Sequence, residues 1–131
     1  MSNAPAANSG LSENAAATLA YAVGWITGII FYMIDKRPYV RFHAAQSLAT
    51  FGGLHLIRIV LAGMFGFGFL FGGLRHHYGY GALGGLGLGI ALLAAFSLFC
   101  FVLWIVCMVK ASQGQRFLLP ITGEIAQNMA K

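Results

Sequence analysis

Charge is what this sequence has least of. Asp, Glu, Lys and Arg make up 8% of its 131 residues, against about 25% in a typical soluble domain. Helices built from such a chain cannot each turn a polar face to water, and too little polar sequence remains for a second, soluble domain. Acidic residues are the rarest: Glu13, Asp35 and Glu124 are the whole set. A single aspartate excludes intramembrane proteolysis by paired aspartates. Cysteine is limited to Cys100 and Cys107. One straight helix would hold them ~10 Å apart, too far to bridge, and they read as small apolar packing residues. No phosphate loop, no His-Glu-x-x-His and no nucleophile with a base at readable spacing occurs. No enzymatic activity, cofactor or metal is therefore expected. His76 and His77 adjoin each other without the further ligands that a metal site needs.

What the chain has instead is long apolar runs. Ala15 to Ile34 is twenty residues without a charge, and Leu83 to Val109 is twenty-seven more. Between them, Phe42 to Phe71 is apolar apart from a few polar residues and Arg58. About 20 apolar residues span a bilayer core as a helix. The expectation is an all-α integral membrane protein with three transmembrane helices and a short C-terminal amphipathic helix. Residues 1–13 form a flexible N-terminal tail without the basic start of a secretory signal, and 14–131 form one transmembrane domain.

Helix one is expected from Asn14 to Ile34, ended by Asp35-Lys36-Arg37 with Pro38 in the first turn of the next. Helix two runs from Tyr39 into the sixties or low seventies. At ~45 Å for thirty residues it exceeds the core, so it starts in the headgroup layer, tilts, or breaks among Gly63, Gly66 and Gly68. Gly72 to Gly89 supplies a glycine-rich second loop that runs into helix three, which ends at Val109. Thr122 to Ala130 suits a short helix lying at the membrane surface, with Ile121, Ile125 and Met129 in one stripe.

The net charge of +5 comes from basic residues at the ends of apolar segments, so membrane orientation rather than nucleic-acid binding explains it. Lys36, Arg37 and Arg41 mark the first loop, and Lys110, Arg116 and Lys131 the C-terminal tail. The positive-inside rule then predicts a plasma (inner) membrane protein with its N-terminus outside and both the first loop and the C-terminus in the cytoplasm.

Helix two carries the candidate site. At 100° per residue, His43, Gln46, Ser47, Thr50 and Arg58 fall on one side of it, and His55 lies just off that seam. Such a polar stripe should face the bundle interior, another subunit or a water-filled cavity. Arg58 is costly in hydrocarbon and needs a partner or a route to the interface. Haem between two facing histidines is not expected within one chain, because helices one and three hold none. Gly24 with Gly28, and Gly81, Gly85 and Gly89, have spacings that let helices approach closely.

Asp35-Lys36 followed by Pro-Tyr-Val-Arg-Phe-His-Ala-Ala-Gln-Ser-Leu (38–48), and Leu-Pro-Ile-Thr-Gly-Glu-Ile-Ala (119–126), carry a family resemblance. The chain resembles a widespread family of small bacterial and archaeal membrane proteins of unknown function. That family is distantly related to the twenty-kilodalton Tic component of chloroplast import. The resemblance maps onto Pro38, Val40, Arg41, Phe42, His43, Gln46, Ser47, Pro120 and Gly123, and extends to neither Arg58 nor the glycine run. Both motifs fall on the predicted cytoplasmic side, which suggests a cap in which the tail folds against the first loop, with Glu124 or Asp35 pairing Arg41.

The functional expectation is a non-enzymatic interaction protein, an accessory subunit or assembly factor of a larger membrane complex. Its partners would be the lipid bilayer and other membrane subunits or itself. The alternative is an oligomeric channel or transport component related to protein translocation, with the seam lining the path.

Overall fold

The computed structural model describes residues 9–75 and 80–131, and their side chains except at 68–75 and 80–83. Its elements are α1 (Glu13–Leu19), α2 (Trp25–Ile34), α3 (Pro38–Arg75), α4 (Tyr80–Ser112) and α5 (Thr122–Ala130). No strand occurs among the described residues. α3 and α4 are long and apolar enough to cross a membrane, over Pro38–Phe67 and Gly84–Ser112.

The expected first span is not shown. Ser12 caps α1 through the Ala15 N–H, but the helix stops at Leu19, and α2 starts only after Gly24, whose φ is +60°. An L side chain rarely adopts that conformation, and glycine takes it without steric cost. The backbone at the turn is satisfied by local bonds, such as the Gly24 N–H to the Tyr21 carbonyl at 2.9 Å, and by side chains. Trp104 Nε1 donates to the Tyr21 carbonyl at 2.7 Å, and Ser47 Oγ to the Gly24 carbonyl at 2.8 Å. Thr27 Oγ1 accepts from the Val23 N–H and lies within bonding distance of the Ala20 and Gly24 carbonyls. Such groups cost several kcal/mol if left bare in hydrocarbon.

The two ends of this segment then meet. The Ser9 N–H and hydroxyl donate to Asp35 Oδ2, at 3.2 and 3.0 Å. Asn14 Nδ2 reaches the Ser112 carbonyl, and Tyr39 Oη the Ala111 carbonyl. Residues 9, 14, 35, 39, 111 and 112 thus lie at one end, and α1 and α2 form a helical hairpin. α2, at ten residues, covers only ~15 Å. The expected opposition of the N-terminus to the first loop is likewise not shown, since Ser9 sits beside that loop.

The tail repeats the pattern. Leaving α4, it runs up α3: Gln46 Nε2 donates to the Phe117 carbonyl, and the Thr50 and Thr122 hydroxyls meet at 2.9 Å. α5 then returns, bringing the Met129 carbonyl to Tyr32 Oη at 2.7 Å. Phe42, Ala45 and Ala126 form the apolar centre, packed by Tyr32, Met129 and Ala130. These contacts belong to one compact unit, Met1–Gly53 with Val102–Lys131. Small residues allow its tight packing: Ala16, Ala17, Ala20, Ala44 and Ala111 are all fully buried.

The second unit is Leu54–Phe101. Here α3 is continuous to Arg75, so the break foreseen at Gly63, Gly66 or Gly68 does not occur. The segment expected as a glycine-rich loop is largely helical. Only residues 76–79, with His76 and His77, fall outside the described residues. Glycine is tolerated in membrane helices, where lipid offers no competing hydrogen bonds. Leu56, Ile59, Val60, Met64, Leu88 and Ile90 are exposed, the surface of helices that face lipid.

Candidate functional site

The predicted seam divides at the middle of α3. His43, Gln46, Ser47 and Thr50 are buried. His55 and Arg58, further along, are exposed and do not join them. Leu56, Ile57, Ile59 and Val60 around Arg58 are exposed as well.

The buried four are bound into the folded-back ends of the chain. Tyr21 Oη sits 3.1 Å from His43 Nδ1 and 3.4 Å from Gln46 Oε1, so one phenol from the α1–α2 turn joins both. Gln46 also reaches the tail at Phe117, Ser47 the turn at Gly24, and Thr50 the tail at Thr122. Each neutral hydrogen bond contributes about 0.5–1.5 kcal/mol net. Losing one partner in so buried a place costs more. The His43 ring is edge-on to Tyr21, Tyr39 and Phe42, with centroids 5.7, 4.6 and 5.1 Å away. Its Nε2 has no partner within hydrogen-bonding distance, although the Gln115 backbone and the Arg116 charge lie nearby.

The charges arrange themselves otherwise than expected. No ion pair joins Arg41 to Glu124 or to Asp35. Asp35 pairs with Arg37 instead, Oδ2 to Nη2 at 2.6 Å and Oδ1 to Nε at 3.0 Å. The reason is proximity: the Arg37 backbone N–H already turns back to Asp35 Oδ1. Burial alone would push the Asp35 carboxyl up. The Arg37 side chain and N–H, with Ser9, outweigh burial and hold it well below the usual carboxylate range. Arg41 lies over the Tyr32 ring, 4.7 Å from its centroid, a cation–π contact, and its Nε is buried without a partner. Glu124 is exposed in the first turn of α5.

Among the glycines, Gly28 earns its place by close approach to α3. A Cβ there would lie 2.9 Å from the Ala44 carbonyl oxygen and 3.1 Å from the Leu48 nitrogen. Gly24 supplies the turn rather than a helix face. Gly89 packs on the Phe65 side chain, whereas a Cβ at Gly85 would meet nothing within 4 Å among the described residues. Gly81 falls where only the course of the backbone is described.

The C-terminal motif makes an unusual turn. The Thr122 N–H bonds the Pro120 carbonyl at 2.8 Å, across Ile121 at φ +70°, ψ −60°. This is the γ-turn with positive φ, rare and strained, and genuinely out of place for a β-branched residue. Strain of this kind costs on the order of 1–3 kcal/mol. Gly123 follows because a Cβ there would meet Leu118, 3.1 Å from its Cα. Leu119 is buried, while Ile121 is 81% exposed. Fully removing an isoleucine from water is worth about 1.5–3 kcal/mol, which here goes unused within the chain.

Sequence reasoning missed Tyr21, Thr27, Tyr32, Tyr39 and Trp104 as members of the polar network. Their only signal was aromatic or hydroxyl character on apolar helices, which membrane proteins also use for interfacial anchoring.

The chain matches the magnetosome magnetite crystal formation protein family over residues 10–126, from the residue after Ser9 to α5. It is 38% identical over 123 residues to a UPF0132 membrane protein of Methanocaldococcus jannaschii, covering 93% of this chain and 92% of that one. Two UPF0132 membrane proteins of Archaeoglobus fulgidus are 34% and 33% identical over 109 and 118 residues. They cover 83% and 89% of this chain and 92% and 94% of their own. No solved structure matches. The archaeal relatives fit the expected small membrane-protein family, and the matches give no support to a relation with the chloroplast component.

Proposed function

The chain belongs to the magnetosome magnetite crystal formation protein family, and on that footing we propose that it is a non-enzymatic membrane protein acting as an accessory subunit or assembly factor of a larger membrane complex. One observation carries this reading. The four buried polar residues of the seam, His43, Gln46, Ser47 and Thr50, are engaged by hydrogen bonds within the chain, and the exposed surface is largely apolar: Val23 before α2, Ile26 and Met33 on it, and Leu98 and Phe101 on α4. Lateral association inside the bilayer is what such faces serve.

For this chain the family's description suggests work at a membrane where a mineral crystal forms. The archaeal relatives carry no such description, so the shared task we infer is organising membrane proteins rather than mineral chemistry. The runner-up, an oligomeric channel, loses its intended lining while the seam stays closed.

The membrane we infer is the plasma (inner) membrane, crossed by α3 and α4 with the α1–α2 hairpin entering and leaving one leaflet. Lys36, Arg37, Arg41, Lys110, Arg116 and Lys131 all belong to the compact unit, and the positive-inside rule puts these charges on the cytoplasmic side. Both chain ends would then be cytoplasmic. Purification of the tagged chain in gentle detergent at native abundance, with mass spectrometry and a native mass, tests the function. A stoichiometric foreign membrane protein is the expected result. A lone monomer or homo-oligomer refutes the accessory role.

A further inference from the structure

The strained turn at Ile121 points outside the chain. We propose that the tip of the tail, Leu118 with Ile121, is a lipid anchor seated at the boundary between headgroups and acyl chains. It rests on α3 and α4 lying in a bilayer, and not on any partner complex.

Three observations converge on lipid. First, a conformation that glycine would hold without strain is occupied by isoleucine, whose side chain is 81% exposed beside an exposed Leu118. Among the described residues nothing covers that side chain, and its transfer out of water would offset the strain. Second, the height is fixed. The Thr122 hydroxyl bonds that of Thr50, and the neighbouring Phe51 lies against Gly24, which is flanked by the exposed Val23 and Ile26. The tip therefore sits near the level of exposed apolar side chains of its own compact unit. Third, polarity changes on either side of it. Arg116, over the Phe42 ring, stands before the tip, where anionic headgroups attract positive charge. Glu124, Gln127 and Asn128 are exposed on α5, which leads away from it.

The test uses the full-length wild-type chain in phospholipid vesicles. One lipid carries a photoactivatable diazirine near the top of an acyl chain. After illumination, trypsin cuts behind Arg116 and releases 117–131. Label on Leu118 or Ile121 is the expected result. Labelled α3 and α4 peptides with an unlabelled 117–131 overturn the proposal. A second measurement fixes what surrounds the tip. Cys100→Ala, Cys107→Ala and Ile121→Cys together, carrying a bimane, should be quenched by shallow brominated lipid. The site should also be shielded severalfold from aqueous iodide relative to a Gln127→Cys bimane. Iodide quenching equal to that at Gln127 places the tip in water, and shielding from both quenchers places it against protein. Either outcome refutes the anchor.

Discussion

Asp35 is the residue on which the compact unit closes. It is buried, it accepts from Ser9 and Arg37, and it ties the start of the α1–α2 hairpin to its end. Breaking a buried charge pair costs about 3–5 kcal/mol, and the partial exposure of Arg37 brings the expected loss for Asp35→Asn to about 2–3 kcal/mol. The carboxyl is lowered in the folded chain, so its contribution is complete above the unfolded value of about 3.9 and is lost as pH falls below it. Thermal unfolding in mild detergent should show the wild type losing stability on acidification below about pH 4. Asp35→Asn should lack that component. Gln46→Leu makes a second check, because it strands the Phe117 carbonyl. It should cost about 1–3 kcal/mol by the same melt, and a neutral result would mean that the tail is not held there.

The helices make different demands on their glycines. Gly28→Leu forces side-chain atoms into the backbone of α3 at Ala44 and Leu48 and should destabilise by at least about 2 kcal/mol. A Cβ at Gly85 meets nothing within 4 Å among the described residues, so Gly85→Ala should leave stability in detergent within the range of ordinary surface changes, about ±0.5 kcal/mol. Equal effects at both sites would contradict the packing. The contrast also shows what could be read from residue spacing. The buried seam from His43 to Thr50 was legible because one helix sets its own angular order. The division beyond Thr50 was not, because burial depends on where the tail ends, and Thr122 lies 72 residues away. The hairpin was illegible for the same reason. Gly24 and Gly28 look like a helix face until Ser47 and Trp104 supply partners for the backbone of a turn. α5 was legible in its extent, but Thr122 is its first residue rather than its cap, and the face packed on α3 and α2 is Ala126, Met129 and Ala130 while Ile121 and Ile125 of the expected stripe stay exposed.

Taken whole, the chain gathers residues 9, 35, 39 and 112 at one end. Fluorescent-protein fusions at residue 1 and at residue 131 should therefore both be bright in cells, and phosphatase fusions at both should be inactive. A bright phosphatase at residue 1 would restore a first crossing and contradict the hairpin. The turn at Tyr21–Gly24 has a further consequence, in time. Its partner Trp104 is synthesised 83 residues after Tyr21. At about 5–20 residues per second, the nascent turn waits roughly 4–17 s before that indole exists. During that interval the Tyr21 carbonyl holds only the Gly24 N–H, and a ribosome stalled before residue 104 leaves a turn without the indole that ties it to α4.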